Sequence, residues 1–358
     1  MKIDFIISSL GGGGAERVMA LLANHFALKG NDVTIVTFND GEAYELNENV
    51  KRAKLHGGKI KNHTIRSFIN LIRHYYKKRN RPKVAISFIT HASMMAIVTC
   101  RFYGIKVIAS EHNNHLQAKV PVFLTRFARD YIYPLAHYIT VLTSYDIDFY
   151  QKKGAKVVVM PNPCTFKPLK DSPKTREKVI LAVGNLDRYH HKGFDNLIIL
   201  IAPILKEHPE WHLNIVGGGK NGLAYLKELA DSNRVQNQVH FAGFQKNVSA
   251  LMQKSEIFIL PSRFEGLPMV LLEAMSQGMA CIAYDCVTGP SDIINNNING
   301  LLIEDQNQEA MQKGLRDLIN DPSLRETLST RAIRSLERFS METIGNKWEM
   351  LFKNILTK

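Results

Sequence analysis

Short apolar runs separated by longer stretches of helical period set the pattern of this chain. In its first half, residues 3–8, 32–38, 84–88, 106–110, 138–142 and 156–160 read as strands, with helices such as 15–29 between them. The second half repeats the pattern, with strands expected at 179–184, 212–216, 239–242, 257–260, 280–284 and 301–303. Apolar runs alternating with helices imply parallel strands covered on both faces. The fold class expected is α/β: two Rossmann-like domains with parallel sheets, and ligands in the crevice outside the strand ends. Met160-Pro161-Asn162-Pro163 closes the first domain, because two prolines in three residues end regular pairing. Residues 165–178, with Pro168, Pro173 and many charges, read as a linker. The boundaries expected are 1–164, 175–340 and a final amphipathic helix, 341–358, which contains Trp348 and crosses back to the first domain.

The stretch from Phe264 to Glu273, FEGLPMVLLE, carries the most chemistry. A buried strand stops before it at Pro261, and a helix over 270–277 follows and ends at Gly278, a natural C-cap. Glu265 therefore belongs to the strand-end loop, and Glu273 lies about a turn into the helix. Backbone amides around Pro268, Met269, Val270 and Leu271, with Gly266 and Leu267 before them, form a place for a phosphate. Two carboxylates beside an anion site suit a ligand bearing both hydroxyls and phosphate, such as a nucleotide sugar. A lone pair of this kind also fits plain first-turn acids favoured by a helix dipole.

Other loops at expected strand ends add to this. Gly11-Gly12-Gly13-Gly14-Ala15-Glu16-Arg17 follows the first strand and opens a helix, where glycines admit an anion close to backbone amides. It is not a dinucleotide fingerprint: the spacing is wrong, and no acid ends the second strand. In the loop from Gly184 to Gly193, Arg188 and Lys192 are set to neutralise a diphosphate leaving group. Gly217-Gly218-Gly219 ends another strand. Ser110-Glu111-His112-Asn113-Asn114-His115 ends a first-domain strand, where a histidine can bond a sugar hydroxyl and tolerate charge changes near neutral pH. No further ligand completes a metal site around His112 and His115. Asp146-Ile147-Asp148 spells D-x-D but lies in a helical stretch, where neighbours two apart diverge; Ser144 reads as its N-cap.

Charge narrows the partner. The formal net charge is +13. Residues 1–165 hold 23 Lys and Arg against 11 Asp and Glu, while the rest is nearly balanced, so the first domain faces something anionic. Residues 61–83 concentrate this excess. Ile65, Ile69, Ile72 and Tyr76 fall on one helical face, with Arg66, Asn70, Arg73 and Lys77 on the next. A basic amphipathic helix with aromatics suits a membrane surface or the phosphates of a lipid-diphosphate acceptor, assigned to Arg66, Arg73 and Lys77. It equally fits a core-packed helix with a solvated basic side. Nucleic acid is not expected, since no zinc-finger, RNP-like or helix-turn-helix pattern occurs. The opening residues read as a strand rather than a signal peptide, and no run of 18 apolar residues occurs. The cysteines Cys100, Cys164, Cys281 and Cys286 form no CxxC pair, which fits a reducing compartment; Cys281 and Cys286 read as buried thiols.

Glu265 and Glu273 carry the E-x7-E spacing, and the chain resembles the family 4 retaining glycosyltransferases of GT-B fold. GGAER resembles the family's amino-terminal loop over the diphosphate, which brings in Gly13 and Gly14. Gly184–Gly193 resembles its G-R-L-x-x-x-K-G element, with Lys192 matching and Asn185 standing where relatives carry arginine. The resemblance places the active-site histidine at His112, base reading around Phe244 and Gln245, and donor contacts at Gly217. It implies that Glu265 binds sugar hydroxyls and Glu273 the ribose. It further implies transfer from a nucleotide sugar, most simply UDP-linked, to a polyprenyl-diphosphate-linked glycan at the cytoplasmic face of the membrane. No metal and no cofactor are expected. The alternatives are a GT-B-fold sugar-nucleotide epimerase and a non-enzymatic binder of anionic polymers.

Overall fold

The computed structural model describes residues 1–112, 114–116, 122–171, 173 and 175–357. Asn113 of the 110–115 motif and Ser172 and Lys174 of the expected linker fall outside them, as does Lys358 of the final helix. The chain forms two compact units, Met1–Pro163 with Phe339–Lys358, and Cys164–Arg338.

The first unit holds seven strands: β1 (Lys2–Ile7), β2 (Asp32–Thr37), β3 (Val50–Lys54), β4 (Val84–Phe88), β5 (Lys106–Ser110), β6 (Tyr138–Val141) and β7 (Val157–Val159). Their order is β3-β2-β1-β4-β5-β6-β7, with every pair parallel and Ile3 opposite Val84. Residues 3–7 of β1 are buried, as a strand covered on both faces requires. The second unit holds β8 (Glu177–Val183), β9 (His212–Val216), β10 (Val239–Gly243), β11 (Ser255–Leu260), β12 (Ala280–Asp285) and β13 (Leu301–Glu304). They run parallel in the order β10-β9-β8-β11-β12-β13.

The sequence reading missed β3. Val50-Lys51-Arg52-Ala53-Lys54 is an edge strand with three cations and one fully buried side chain, so apolar patterning cannot reveal it. The helix His63–Tyr76 is present, but its inward face is not the expected one. Ser67, Leu71 and Tyr75 are buried, while Ile65 is 52% and Tyr76 74% exposed. The apolar residues fill one broad arc of this helix, and packing buries the Leu71–Tyr75 edge of that arc and leaves the Ile65–Tyr76 edge outside, a rotation that sequence period alone could not set.

The final helix, Met341–Leu356, belongs to the first unit. Phe352 packs on Phe26 with ring centroids 5.3 Å apart, and Lys29 reaches Glu342 at 3.3 Å and Glu349 at 3.2 Å. The residues expected to form a linker are bonded to the second unit: Leu169 N–H donates to Ser276 O at 2.9 Å. Arg176 donates to the carbonyls of Met252, Ser255, Gln277 and Gly278, each at 2.7 Å. Those four carbonyls lie at the ends of two helices and the start of β11, so one guanidinium ties three elements together.

Candidate active site

In the second unit, the loops after β8, β9, β10 and β11 emerge at the carboxyl ends of parallel strands, the usual ligand edge of such a sheet. The loop 261–268 joins β11 to the helix Met269–Ser276 and carries Glu265, which is 8% exposed. Lys192 Nζ and Ser262 Oγ both donate to Glu265 Oε1 at 2.7 Å. Burial by itself pushes the Glu265 carboxyl upward. The Lys192 charge, its hydrogen bond and that of Ser262 outweigh burial and hold the group below its ordinary range. Glu265 is therefore a carboxylate at neutral pH, with a cation at contact.

Two glycines allow this loop to close. Gly193 (φ 71°) sits so near the Pro261 carbonyl that any Cβ would collide with it, which locks the Lys192 loop onto the end of β11. Gly289 (φ 98°) lies against Gly266 and Pro268 in the same way, while Thr288 Oγ1 donates to Glu265 O at 2.5 Å. Arg263 donates from Nη1 to Asp195 Oδ1 at 2.7 Å and from its backbone N to His191 O at 3.0 Å. The loops bearing Lys192 and Glu265 are thus bonded on both sides of that pair.

Glu273 is 6% exposed on the helix and accepts a hydrogen bond from Thr165 Oγ1. The phosphate cradle is smaller than its sequence suggests. Pro268 has no N–H, and the Leu271 N–H donates to Pro268 O at 3.0 Å, which leaves Met269 and Val270 as the first-turn amides, after Gly266 and Leu267 on the loop. Asn185 does not supply a cation; its Oδ1 accepts from Asp187 N at 2.9 Å and opens the turn Leu186–Arg188. Arg188, at the end of that turn, is exposed. Asp187 Oδ1 accepts from Asn221 N and Gly222 N, both at 3.0 Å, which joins this turn to the glycine loop after Gly217. Gly217 N–H donates to Gly243 O at 2.9 Å, next to Phe244, which is 76% exposed. Gln245 Nε2 donates to Ala242 O at 2.7 Å.

In the first unit, His112 follows β5. Its ring stacks on Phe88 at 4.3 Å, and its Nε2 lies 3.1 Å from Ser110 Oγ, which accepts from Thr140 Oγ1 at 2.8 Å. Burial pushes the His112 pKa down to about 3, with a bond to Asn162 opposing it. The expectation that this histidine changes charge near neutral pH is therefore corrected: it stays neutral. His115 Nδ1 meets Asp146 Oδ1 at 2.7 Å, so both are committed to each other. Asp148 is exposed while Asp146 is buried, and Ser144 starts a 3₁₀ turn rather than capping the helix Ile147–Gln151. At the start of the helix Gly14–Leu28, the Glu16 carboxylate folds back against Gly13, and Tyr44 Oη donates to Gly13 O at 2.8 Å. This helix end already holds negative charge.

Arg73 and Lys77 line one open cavity of about 500 Å³ with Lys54, Asn70, His74 and Asn80. Arg66 does not join them: its stem packs on Gly58, and Nη1 donates to Ile60 O at 3.3 Å.

Comparison with known proteins decides the family. The profile "Glycosyltransferase Family 4" matches residues 12–165, and "Glycosyl transferases group 1" matches residues 167–335. The chain is 30% identical to an uncharacterised glycosyltransferase of Haemophilus influenzae, over 97% of this chain and 99% of that one. It belongs to the family 4 glycosyltransferases. It is also 30% identical, over 99% of both chains, to a Campylobacter jejuni α-1,4-N-acetyl-D-galactosaminyltransferase whose name specifies a diNAcBac-PP-undecaprenol-linked GalNAc acceptor. The Anabaena HepE structure with UDP and glucose superposes with a TM-score of 0.82 over 99% of this chain and 100% of that one, at 16% identity. The fold is GT-B, with two Rossmann-like units, and the protein is a glycosyltransferase, which sets aside the epimerase and polymer-binder readings.

For a family 4 glycosyltransferase, sequence reading found both glutamates and the lysine but missed what holds them. Ser262 stood three residues before Glu265 and was legible as a loop hydroxyl. Thr165 and Thr288 carried no local signal, because each reaches its glutamate from a distant segment. Cys281 and Cys286 are buried thiols whose pKa burial raises, Cys286 to about 12. No helix among the described residues is long and apolar enough to cross a membrane.

Proposed function

We propose that this glycosyltransferase retains anomeric configuration and moves a sugar from a UDP-linked donor to a polyprenyl-diphosphate-linked glycan at the cytoplasmic face of the membrane. The observation that carries the reading is the Lys192–Glu265–Ser262 network, a buried carboxylate paired with a cation on a loop that leads into a helix N-terminus. In this reading Glu265 binds donor-sugar hydroxyls and Glu273 the ribose. Arg188, Lys192 and the amides of Met269 and Val270 receive the diphosphate as its charge develops. The loops at Gly217, Phe244 and Gln245 read the base, and Gly13 and Gly14 close over the phosphates. His112, neutral, bonds a sugar hydroxyl. Attack comes from the leaving-group side; the departing phosphate oxygen takes the acceptor hydroxyl's proton, and no protein nucleophile is needed.

Two supports bear on the acceptor. The Campylobacter relative is named for an undecaprenyl-diphosphate-linked glycan, and Arg73 and Lys77 line a basic cavity in the first unit. The test is UDP release from a panel of nucleotide sugars, with and without lipid-linked glycans, for the wild type and Glu265→Ala. Glu265→Ala lowers transfer by at least about 100-fold with an unchanged circular dichroism spectrum. Near-normal turnover by that variant would refute the assignment.

A further inference from the structure

Among the described residues, Ile89, Arg234, Asn297 and Gln306 are the non-glycine positions with positive φ. Ile89 is the β-branched one, with φ 69° and ψ 142°, bordering a region that glycine alone usually occupies. It is also the N-cap of the helix Thr90–Phe102 and gives that helix no side-chain cap. Glycine suits both roles better. Packing of the Ile89 side chain does not account for the choice, because that side chain is only half-buried.

What the strained residue does hold is the segment that bears His112. Phe88, Ile89 and Thr90 grip Ser110, Glu111 and His112. Phe88 stacks on the His112 ring with centroids 4.3 Å apart. Ile89 N–H donates to Ser110 O at 3.2 Å, just past the last paired residues of β4 and β5, Phe88 and Ser110. Thr90 Oγ1 donates to Glu111 Oε1 at 3.2 Å, and the buried Glu111 also accepts from Tyr133 Oη. In a regular strand Phe88 and Thr90 would share a face, while Glu111 and His112 would not; the break at Ile89 lets both pairs form. The turn is fixed from below as well. Ser93 N–H donates to Ile89 O at 3.0 Å, and Ser87 Oγ donates to Ser93 Oγ at 3.0 Å, with both serines fully buried. A strained backbone persists only where its surroundings over-determine it, and these surroundings converge on His112.

We propose that Ile89 is a positioning residue for sugar transfer, its stiff and strained backbone setting the clasp that fixes the His112 ring. This rests on the reading of His112 as a ligand of a sugar hydroxyl and adds what orients it. A β-branched residue held in one narrow well leaves the clasp little freedom. Glycine there would relieve the strain and let Phe88 and Thr90 drift. A misplacement of about 1 Å at a positioning contact can cost about 100-fold in rate.

The test compares Ile89→Gly with Ile89→Ala in the full chain, by melting temperature and by kcat for UDP release. The substrates are the nucleotide sugar and lipid-linked glycan that the wild type turns over fastest. Alanine keeps a Cβ and with it the strain. Inside regular elements glycine is the less stable of the two residues. At this position Ile89→Gly melts above Ile89→Ala and yet turns over at least about tenfold more slowly. In a His112→Ala background the same exchange to glycine changes kcat by less than about twofold, because the ring it positions is gone. The proposal is overturned if the glycine variant is both less stable and slower, so that activity merely follows stability. It is also overturned if the two variants turn over equally, or if the glycine variant's loss survives without His112. Failure of the His112 reading looks different: His112→Ala alone transfers sugar at the wild-type rate, and the proposal falls with that reading.

Discussion

Lys192 Nζ donates to Glu265 Oε1 at 2.7 Å, joining two loops 73 residues apart in the chain. This contact sets the electrostatic character of the loop, because it holds down a carboxyl that burial pushes up.

Removing the cation should invert that balance. In Lys192→Ala, burial acts on Glu265 against little more than the Ser262 hydrogen bond, so the acid limb of the pH profile of kcat/KM moves upward from below the ordinary carboxylate range. Turnover at pH 7 falls by roughly 100-fold. Stability follows the same sign: a depressed folded pKa contributes stability above the unfolded value, lost as pH falls through the folded one. Lys192→Ala should therefore lose more of its melting temperature at pH 7 than at pH 3.5. An unmoved acid limb contradicts this account.

Asp4 shows the opposite case. It is 1% exposed on β1, and burial raises its pKa to about 7, against one hydrogen bond from Tyr75 Oη at 2.8 Å. A carboxyl raised on folding is protonated in the native state, so its contribution is present at low pH and declines between about pH 4 and 7. The loss is on the order of 4 kcal/mol. Asp4→Asn, which mimics the protonated acid, should flatten the fall in melting temperature between pH 5 and pH 8. Parallel curves for the two proteins would remove Asp4 from the explanation.

Arg176 should matter for stability and little for chemistry. Arg176→Ala leaves four carbonyls without their shared donor, at a cost of roughly 3–5 kcal/mol. Calorimetry should show the second unit melting about 10 °C lower. The donor KM at 20 °C should stay within about twofold.

The basic cavity predicts a split between substrates. Arg73→Gln with Lys77→Gln should reduce use of a lipid-linked acceptor by about tenfold or more while leaving donor hydrolysis near wild type. The wild type should lose the same advantage as salt rises from 0.1 to 0.5 M, through screening of exposed cations. Equal losses in both reactions would argue against an acceptor role.

Much of this protein was legible in its residues. Twelve of the 13 strands are mostly apolar runs, continuously so where the strand is buried on both faces, and could be read directly; the glutamate couple stands where a strand end meets a helix. The edge strand Val50–Lys54 escaped because half of it meets water. The rotation of His63–Tyr76 escaped because its apolar arc is broad, and only packing chose the Leu71 and Tyr75 edge over the Ile65 and Tyr76 edge.

What the sequence by itself determined was the alternation of strands and helices, and the residue types waiting at the strand ends. Tertiary structure decided the partnerships: Lys192 with Glu265, Thr165 with Glu273, Asp146 with His115, and Arg66 apart from Arg73. The physical reason is range. Local pattern follows from periodicity within a few residues, whereas an ion pair or a pKa depends on burial and on charges that only the folded chain brings to contact.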